Sequence, residues 1–136
     1  MMISTRGRYA LKIMLDLAKQ AEEEFVSLKE ICERQGISVK YLESIMPALY
    51  KSGLIESRRG KTGGYRLAKK PEDCSAFEII RNVEIDFYPV SCLSEGASGC
   101  EKASECLTLP MWVKLDEIVE GYLKGITLKD LLEGNV

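Results

Sequence analysis

Three cysteines in the C-terminal half are the residues whose type and spacing point most directly to chemistry. Cys92, Cys100 and Cys106 follow the pattern C-x(7)-C-x(5)-C within segment 84–106, which contains glycines and has no sustained hydrophobic period. Thiolates bind zinc and iron–sulfur clusters, and a flexible loop can wrap them around a metal centre. The alternative is a set of buried or incidental thiols, and spacing alone leaves both interpretations open.

A four-ligand site built on these cysteines lacks one protein ligand. The chain contains no histidine. The missing ligand would therefore be a carboxylate, another cysteine, a small molecule or a residue of a partner subunit. Cys32 is predicted to lie in the core and Cys74 to be structural, although either could be recruited as a ligand.

Length and composition restrict the class of protein. With 136 residues, 46% hydrophobic and 29% charged, the chain can bury a core without disulfides. No apolar run approaches the ~20 residues of a membrane span, and no signal peptide is evident. We therefore expect a cytoplasmic protein without a membrane partner. The lack of histidine and of an activated nucleophile argues against an enzyme.

The net charge of −2 conceals a strong asymmetry between the two halves. Residues 1–70 contain 14 Lys and Arg against 8 Asp and Glu, whereas residues 71–136 contain 5 against 13. A basic N-terminal half suits a polyanion, and the acidic remainder would repel one. The charge distribution therefore favours nucleic acid as a partner of the first half.

Helical periodicity and capping signals predict three helices in the first half. Thr5 is a plausible N-cap of the first. A capping-box pattern at Ser27 starts a short helix that Gly36 stops. Ser38 can cap the third, which Gly53 ends.

Pro47 lies inside the apolar stripe of the third helix. Because proline removes a backbone donor and crowds the preceding turn, it should kink the helix or split it near Glu43.

The rest of the chain combines a hairpin with further helices. Two short strands flank the basic, glycine-rich turn 58–64. Ser75 is predicted to start a helix, and residues 107–125 form a long amphipathic helix. Thr127 then caps a short C-terminal helix. We expect a mainly α protein with a small β-hairpin.

The order of these elements is that of a winged helix-turn-helix, here over residues 1–83. The tight turn 35–38 would let one helix support the next in a DNA major groove, with the hairpin as the wing. Basic and hydroxyl side chains suit phosphates and base edges, and an arginine on the wing can enter the minor groove. The predicted DNA-binding residues are Ser38, Lys40, Tyr41, Glu43, Ser44, Arg58, Arg59, Lys61 and Arg66.

Several short motifs resemble those of the IscR-type (Rrf-family) bacterial transcriptional regulators. They cover nearly the whole chain and are specific in combination. The motifs are Ser4-Thr-Arg-Gly-Arg-Tyr-Ala10, Met14-Leu-Asp-Leu-Ala18, Arg34-Gln-Gly-Ile-Ser38, Tyr41-Leu-Glu43, Gly53-Leu-Ile55, Arg59-Gly60 with Gly63-Gly64-Tyr65, and Cys106-Leu-Thr-Leu-Pro-Met-Trp112.

The resemblance implies a homodimer held by the long helix 107–125, binding a two-fold operator in double-stranded DNA. It also implies an iron–sulfur cluster, 2Fe–2S or 4Fe–4S, that modulates DNA binding. By position, Cys92, Cys100 and Cys106 would be its ligands. Segment 84–106 would then be a cluster loop, and residues 107–136 would contain the dimerisation helix and the C-terminal helix. The resemblance also implies that Tyr41, Glu43 and Arg59 face DNA.

The chain departs from the IscR pattern in two places. Seven residues instead of five separate the first two cysteines, and Leu109 stands where the pattern has a histidine. Leucine cannot bind iron. Other branches use a carboxylate from the first helix of the partner, but here that stretch holds Arg6 and Arg8, and the first acidic residue is Asp16. The fourth ligand stays open.

By analogy with the family, we expect a repressor that responds to cluster status or to oxidative or nitrosative stress. Its targets would be genes for cluster assembly or cysteine supply. One alternative is a winged-helix repressor that senses thiol oxidation or zinc without a cluster. Another, of a different class, is a small iron–sulfur electron-transfer or scaffold protein.

Overall fold

The computed structural model describes residues 3–94 and 102–136. Within this part the chain forms six α-helices, two short 3-10 helices and one two-stranded antiparallel sheet. In chain order they are α1 (Thr5–Ala18), α2 (Leu28–Gln35), α3 (Val39–Lys51), β1 (Ile55–Arg58), β2 (Gly64–Leu67), a 3-10 helix (Pro71–Asp73), α4 (Ala76–Val83), a 3-10 helix (Ser91–Leu93), α5 (Leu109–Lys124) and α6 (Leu128–Glu133). The predicted fold class, mainly α with a hairpin wing, is confirmed.

Hydroxyl side chains fix the starts of five helices. Each accepts a hydrogen bond from the backbone N–H three residues later, which satisfies a donor that has no partner inside the helix. The α1 cap is Ser4 rather than the predicted Thr5, which is the first helical residue. The five caps are Ser4, Ser27, Ser38, Ser75 and Thr127.

One hydrophobic core joins α1, α2, α3, α4 and α6. The apolar stripes predicted for α1 and α3 are buried in it, because residues three and four apart share a helix face. Leu128 of α6 is fully buried in the same core, so the C-terminal helix packs back onto the N-terminal half. The largest fully buried side chains are Ile13, Met14, Ile31, Leu42, Ile45, Met46, Leu49, Leu54, Ile79, Ile80, Leu128 and Cys74.

Pro47 does not split α3, which runs continuously from Val39 to Lys51. Met46 and Leu49, on either side of the proline, are buried in the core. Tertiary packing on both sides of Pro47 therefore offsets the missing backbone donor. Of the two outcomes expected for this proline, the structure excludes the split.

The hairpin pairs Ile55 with Leu67 and Arg58 with Gly64, so the wing tip spans residues 59–63. Val26, in the linker between α1 and α2, adds a bridge to Tyr65 of β2. The linker thus lies along the outer edge of β2 and fixes the hairpin against the helices.

α5 packs against α4 and leaves an apolar surface exposed. Ile118 and Tyr122 are 57% and 62% exposed, and Met111 and Leu115 lie on the same helix with substantial exposure. In residues 3–94 and 102–136 no helix is both long enough and apolar enough to cross a membrane.

Candidate nucleic-acid interface and cysteine segment

The turn between α2 and α3 has the geometry that a helix-turn-helix requires. Gly36 adopts a left-handed conformation with φ 63°, which glycine reaches without steric cost. The N–H of Ile37 donates to the Cys32 carbonyl at 3.2 Å, and the Ser38 hydroxyl accepts from the N–H of Tyr41 at 3.1 Å. The chain therefore leaves α2 and enters α3 within three residues.

A charged contact holds this unit against α1. Arg34 donates to Asp16 from Nη2 at 2.7 Å and from Nε at 3.0 Å, and Gln35 adds a bond at 3.0 Å. Burial by itself would raise the pKa of Asp16, but the hydrogen bonds from Arg34 and Gln35 outweigh it and hold the pKa below its ordinary value. The carboxylate therefore stays ionised and anchors α2.

The first turns of α3 present the predicted contact residues to solvent. Ser38, Lys40, Glu43 and Ser44 are exposed, and Lys40 has no hydrogen bond or ion pair within the described residues. Tyr41 differs, because its ring is half-buried edge-on to Tyr9, with centroids 5.7 Å apart. Packing on α1 thus determines where the Tyr41 ring lies.

Arg6 belongs to the same surface, although the sequence did not single it out as a DNA-binding residue. Its Nη2 donates to the Ser44 carbonyl at 2.8 Å. This bond brings a cation from α1 beside the recognition helix. In the sequence, the basic stretch around Arg6 and Arg8 was the signal that could have identified Arg6 as part of this surface.

The four basic residues of the wing fall into two groups. Arg59 and Lys61 are exposed at the tip and have no hydrogen bond or ion pair to any residue that the structure describes. Arg58 instead donates to the Thr62 carbonyl at 2.7 Å, and Arg66 pairs with Glu56 at 2.8 Å. The tip cations are thus the ones available for a polyanion.

A cleft between the wing and the N-terminus of α2 adds one more cation that the sequence reasoning missed. It is lined by Ser27, Lys29, Arg59 and Gly60, among others. Lysine in the first turn of a helix is unfavourable for the helix dipole. That local mismatch is the signal that could have drawn attention to Lys29.

Two of the three cysteines of the predicted cluster loop lie in the described part of the chain, and Cys100 lies outside it. Cys92 is half-buried in the short 3-10 helix, and Cys106 is half-buried three residues before α5. The Sγ of Cys106 lies 3.4 Å from the Thr108 hydroxyl. Hydrogen bonds from that hydroxyl and from the backbone N–H groups of Thr108 and Leu109 lower the pKa of Cys106.

The other two cysteines are core residues, as the sequence predicts. Cys74 is fully buried, and burial raises its pKa to about 11. Cys32 is 8% exposed, and its pKa is raised by burial and by the nearby carboxylates of Glu43 and Glu33. Both stay protonated near neutral pH, which makes them poor metal ligands.

Of the four cysteines in the described part of the chain, Cys92 and Cys106 are the two whose thiols are accessible enough to serve as metal ligands. These two thiols are partly accessible, and one of them is shifted toward thiolate. In segments 3–94 and 102–136, no three Cys, Asp or Glu side chains converge as a ready-made metal site. Leu109, the first residue of α5, offers only hydrocarbon.

The helix-turn-helix, the bridged β-hairpin beside it and the cations on both that lack an ion pair among the described residues define a winged-helix DNA-binding regulator. Comparison with known proteins identifies the family. The Rrf2 family, described as iron-dependent transcriptional regulators, matches residues 3–134. The chain belongs to this family, which confirms the resemblance found in its motifs.

Named relatives support the same assignment. The HTH-type transcriptional regulator IscR of Aliivibrio salmonicida is 40% identical over 99% of this chain and 79% of its own length. The solved structure of T. potens IscR shares 37% identity and covers 100% of this chain and 89% of that one, with a TM-score of 0.77. CymR, the global cysteine regulator of B. subtilis, shares 37% identity over 96% and 95% of the two chains, with a TM-score of 0.76.

Proposed function

We propose that this transcriptional regulator acts as a homodimeric repressor in the cytoplasm, binding a two-fold operator and responding to an iron–sulfur cluster. The observation that supports the DNA-binding surface is a set of cations on α3 and the wing that have no hydrogen bond or ion pair to any described residue. Lys40 on α3 and Arg59 and Lys61 on the wing are all exposed. Phosphate contacts by such cations supply affinity, and the α3 side chains supply base contacts.

Residues 1–83 form the DNA-binding domain in this proposal. Ser38, Glu43 and Ser44 are placed to meet base edges or phosphates, since they lie on the exposed N-terminal part of α3. Glu43 can accept from cytosine N4.

Dimerisation is supported by the apolar face of α5. Met111, Leu115, Ile118 and Tyr122 recur at spacings of three and four and are exposed. An apolar stripe of this length on a soluble helix is typical of a helix–helix interface. A second copy of α5, related by a two-fold axis, would cover the stripe and match the symmetry of the operator.

Segment 84–106 is proposed to hold the cluster through the sulfur atoms of Cys92, Cys100 and Cys106. Such a cluster would supply a centre whose assembly and loss follow iron supply, oxidants or nitric oxide. All three proposed ligands lie, by sequence position, in the connection between α4 (Ala76–Val83) and α5 (Leu109–Lys124). The fourth ligand stays open, because Leu109 cannot provide one.

The cluster can influence DNA affinity through α4. This helix contacts α5 and also α1 and α3. Lys124 of α5 lies over the ring of Phe77 of α4, 5.0 Å from its centroid. A change at segment 84–106 could thus move the dimer helix relative to the recognition helix, to the extent that the two states differ in cluster affinity. Genes for cluster assembly or cysteine supply are the proposed targets.

A second function has its own support. Cys106 has a lowered pKa beside Thr108, which favours thiolate chemistry. One solved relative is the oxidized form of CymR from Staphylococcus aureus, 36% identical. A repressor that senses thiol oxidation or zinc, without an iron–sulfur cluster, is therefore the alternative.

Anaerobic purification with iron, sulfide and zinc analysis separates the two. Visible absorbance with stoichiometric iron and sulfide, lost in Cys100→Ala and kept in Cys74→Ala, supports the cluster. Colourless protein with stoichiometric zinc supports the alternative, as does colourless metal-free protein whose DNA affinity follows oxidation. Unchanged cluster content in Cys100→Ala would refute the ligand assignment.

Salt-dependent DNA binding tests the regulator against the electron-transfer or scaffold alternative. Each phosphate contact contributes about 0.9 to the slope of log affinity against log salt. We expect a steep slope that falls by about one unit in Arg59→Ala. A protein without DNA affinity would fit the scaffold instead.

A further inference from the structure

The ring of Phe25 lies against two wing arginines at once. The guanidinium carbons of Arg58 and Arg66 are each 4.3 Å from its centroid, well within the range of a cation–π interaction. Phe25 is half-buried in the linker between α1 and α2. It therefore connects both strands of the wing to a segment outside the wing.

The two arginines share one face of the hairpin. Arg66 is opposite Glu56 in the strand register, and Arg58 is two residues beyond Glu56, so the three side chains project to the same side. Both cations also have polar partners, since Arg66 pairs with Glu56 and Arg58 donates to the Thr62 carbonyl. Their guanidinium groups are thus occupied within the wing.

The linker itself is fixed to the hairpin one residue further along. Val26 and Tyr65 exchange two backbone hydrogen bonds, each 2.8 Å long. Gly64 permits this approach, because a Cβ atom there would lie 2.1 Å from the Val26 carbonyl oxygen. The Phe25 ring therefore stands at a defined place beside β2.

From this geometry we infer that Phe25 is a positioning residue for DNA binding, and that Arg58 and Arg66 hold the wing while Arg59 and Lys61 contact DNA. The inference rests on the proposed DNA-binding function and divides the predicted wing residues into two roles. Arg58 and Arg66 act through Phe25 and through their partners in the wing. Arg59 and Lys61 are free to meet phosphates or the minor groove.

The physical need for such a support is clear from the size of the wing. Two four-residue strands form a hairpin that has marginal stability by itself. A wing that is already ordered before DNA arrives loses less conformational entropy on binding. Each cation–π contact at an exposed site corresponds to about a two- to fivefold change in an equilibrium constant, so two contacts give about tenfold.

The test compares four variants on one DNA probe. The probe is a duplex of about 30 base pairs, roughly three helical turns, enriched from a randomised library by the wild-type protein. Affinity is measured by fluorescence anisotropy over a range of salt concentrations. The variants are Phe25→Leu, Phe25→Tyr, Arg58→Gln and Arg59→Gln.

We expect Phe25→Leu to weaken binding about tenfold without changing the salt slope, because no phosphate contact is removed. Phe25→Tyr, which keeps an aromatic face, restores most of the affinity. Arg58→Gln weakens binding without a change of slope, whereas Arg59→Gln lowers the slope by about one unit. Phe25→Tyr is also the matched control, because it changes the same position and keeps the ring.

Different outcomes overturn different claims. Absence of salt-dependent binding by the wild type contradicts the proposed function and this inference with it. If the wild type binds DNA and Phe25→Leu binds with the same affinity, the inference alone is overturned. The same holds if Arg58→Gln lowers the salt slope as much as Arg59→Gln does. An equal loss of DNA affinity in Phe25→Leu and Phe25→Tyr also overturns the inference, because the aromatic face would then not matter.

Discussion

Arg34 binds Asp16 through two nitrogens, Nη2 at 2.7 Å and Nε at 3.0 Å, and thereby joins α2 to α1. The Asp16 side chain is 5% exposed and the Arg34 side chain 40%. The acid is thus buried and the base reaches it from the surface. Together with the shared hydrophobic core, this contact holds the helix-turn-helix against α1.

Replacing Asp16 by asparagine should lower the free energy of unfolding by about 2 kcal/mol, the scale of lost hydrogen bonds to a charged group. The pKa of Asp16 lies below its ordinary value of 3.8. Its stabilising contribution is therefore complete above that value and is lost as the pH falls through the lower, folded pKa.

Urea unfolding at several pH values measures this contribution. The difference between wild type and Asp16→Asn should be constant near neutral pH and shrink below about pH 4. Glu30→Gln is the control, since Glu30 is exposed and lies 3.7 Å from Arg34, and it should change stability little. A difference between wild type and Asp16→Asn that grows in acid would contradict the assigned ionisation.

Gly64→Ala should destabilise the wing by at least about 2 kcal/mol, since overpacking adds to an unfavourable φ of 150°. Gly53→Ala separates the two causes. Gly53 has φ 77° but open space around its Cβ position, so only backbone strain of about 1 kcal/mol is expected. Equal unfolding free energies for the two variants would show that the contact with the linker is unimportant.

Cys74 should resist alkylation in the folded protein. Its side chain is fully buried and its pKa is raised to about 11, so iodoacetamide at mildly alkaline pH should modify it only after unfolding. Cys106, which is partly accessible, provides the comparison in the same metal-free sample. Peptide mass spectrometry gives both rates, and labelling of Cys74 as fast as Cys106 would contradict the packing described.

Ile118→Glu should convert the proposed dimer to a monomer, because a charge would enter the apolar stripe of α5. Ile85→Glu is the matched control, as Ile85 is 89% exposed outside α5. Analytical ultracentrifugation at micromolar concentration distinguishes the two species. A dimer that persists in Ile118→Glu would place the interface elsewhere.

Local chemistry made much of the fold predictable. Ser27, Ser38, Ser75 and Thr127 each satisfy the first turn of the helix that follows, and their side chains act within three residues. Such short-range signals can be read directly from a sequence. The hairpin was predictable for the same reason, because glycines punctuate its turn.

Long-range packing explains what the sequence did not reveal. The Asp16–Arg34 contact spans 18 residues, and Phe25 of the α1–α2 linker contacts Arg58 and Arg66 of the wing, which are still more distant in the sequence. Nothing in local spacing indicates such partners. For Pro47, burial of neighbouring residues decided between a split and a continuous helix, and that burial depends on α1 and α4.

The sequence predicted which residues form the candidate site better than it predicted what each of them does. The sequence placed Arg58, Arg59, Lys61 and Arg66 together on one wing, and the structure brings them together. The structure also distinguishes Arg58 and Arg66, which have partners within the wing, from Arg59 and Lys61, which have none among the described residues. This distinction depends on side-chain contacts, which local sequence does not show. The cluster ligands stay a prediction, with Cys92 and Cys106 as the two whose surroundings can be described.

The central claim is that the state of the cysteine segment changes DNA binding. Its most direct test is a fluorescence anisotropy titration of the enriched duplex with anaerobically purified protein, repeated on the same preparation after chelation of its iron. We expect the dissociation constants of the two forms to differ at least about fivefold, the lower range of allosteric coupling. Superimposable titration curves for the two forms would contradict the claim.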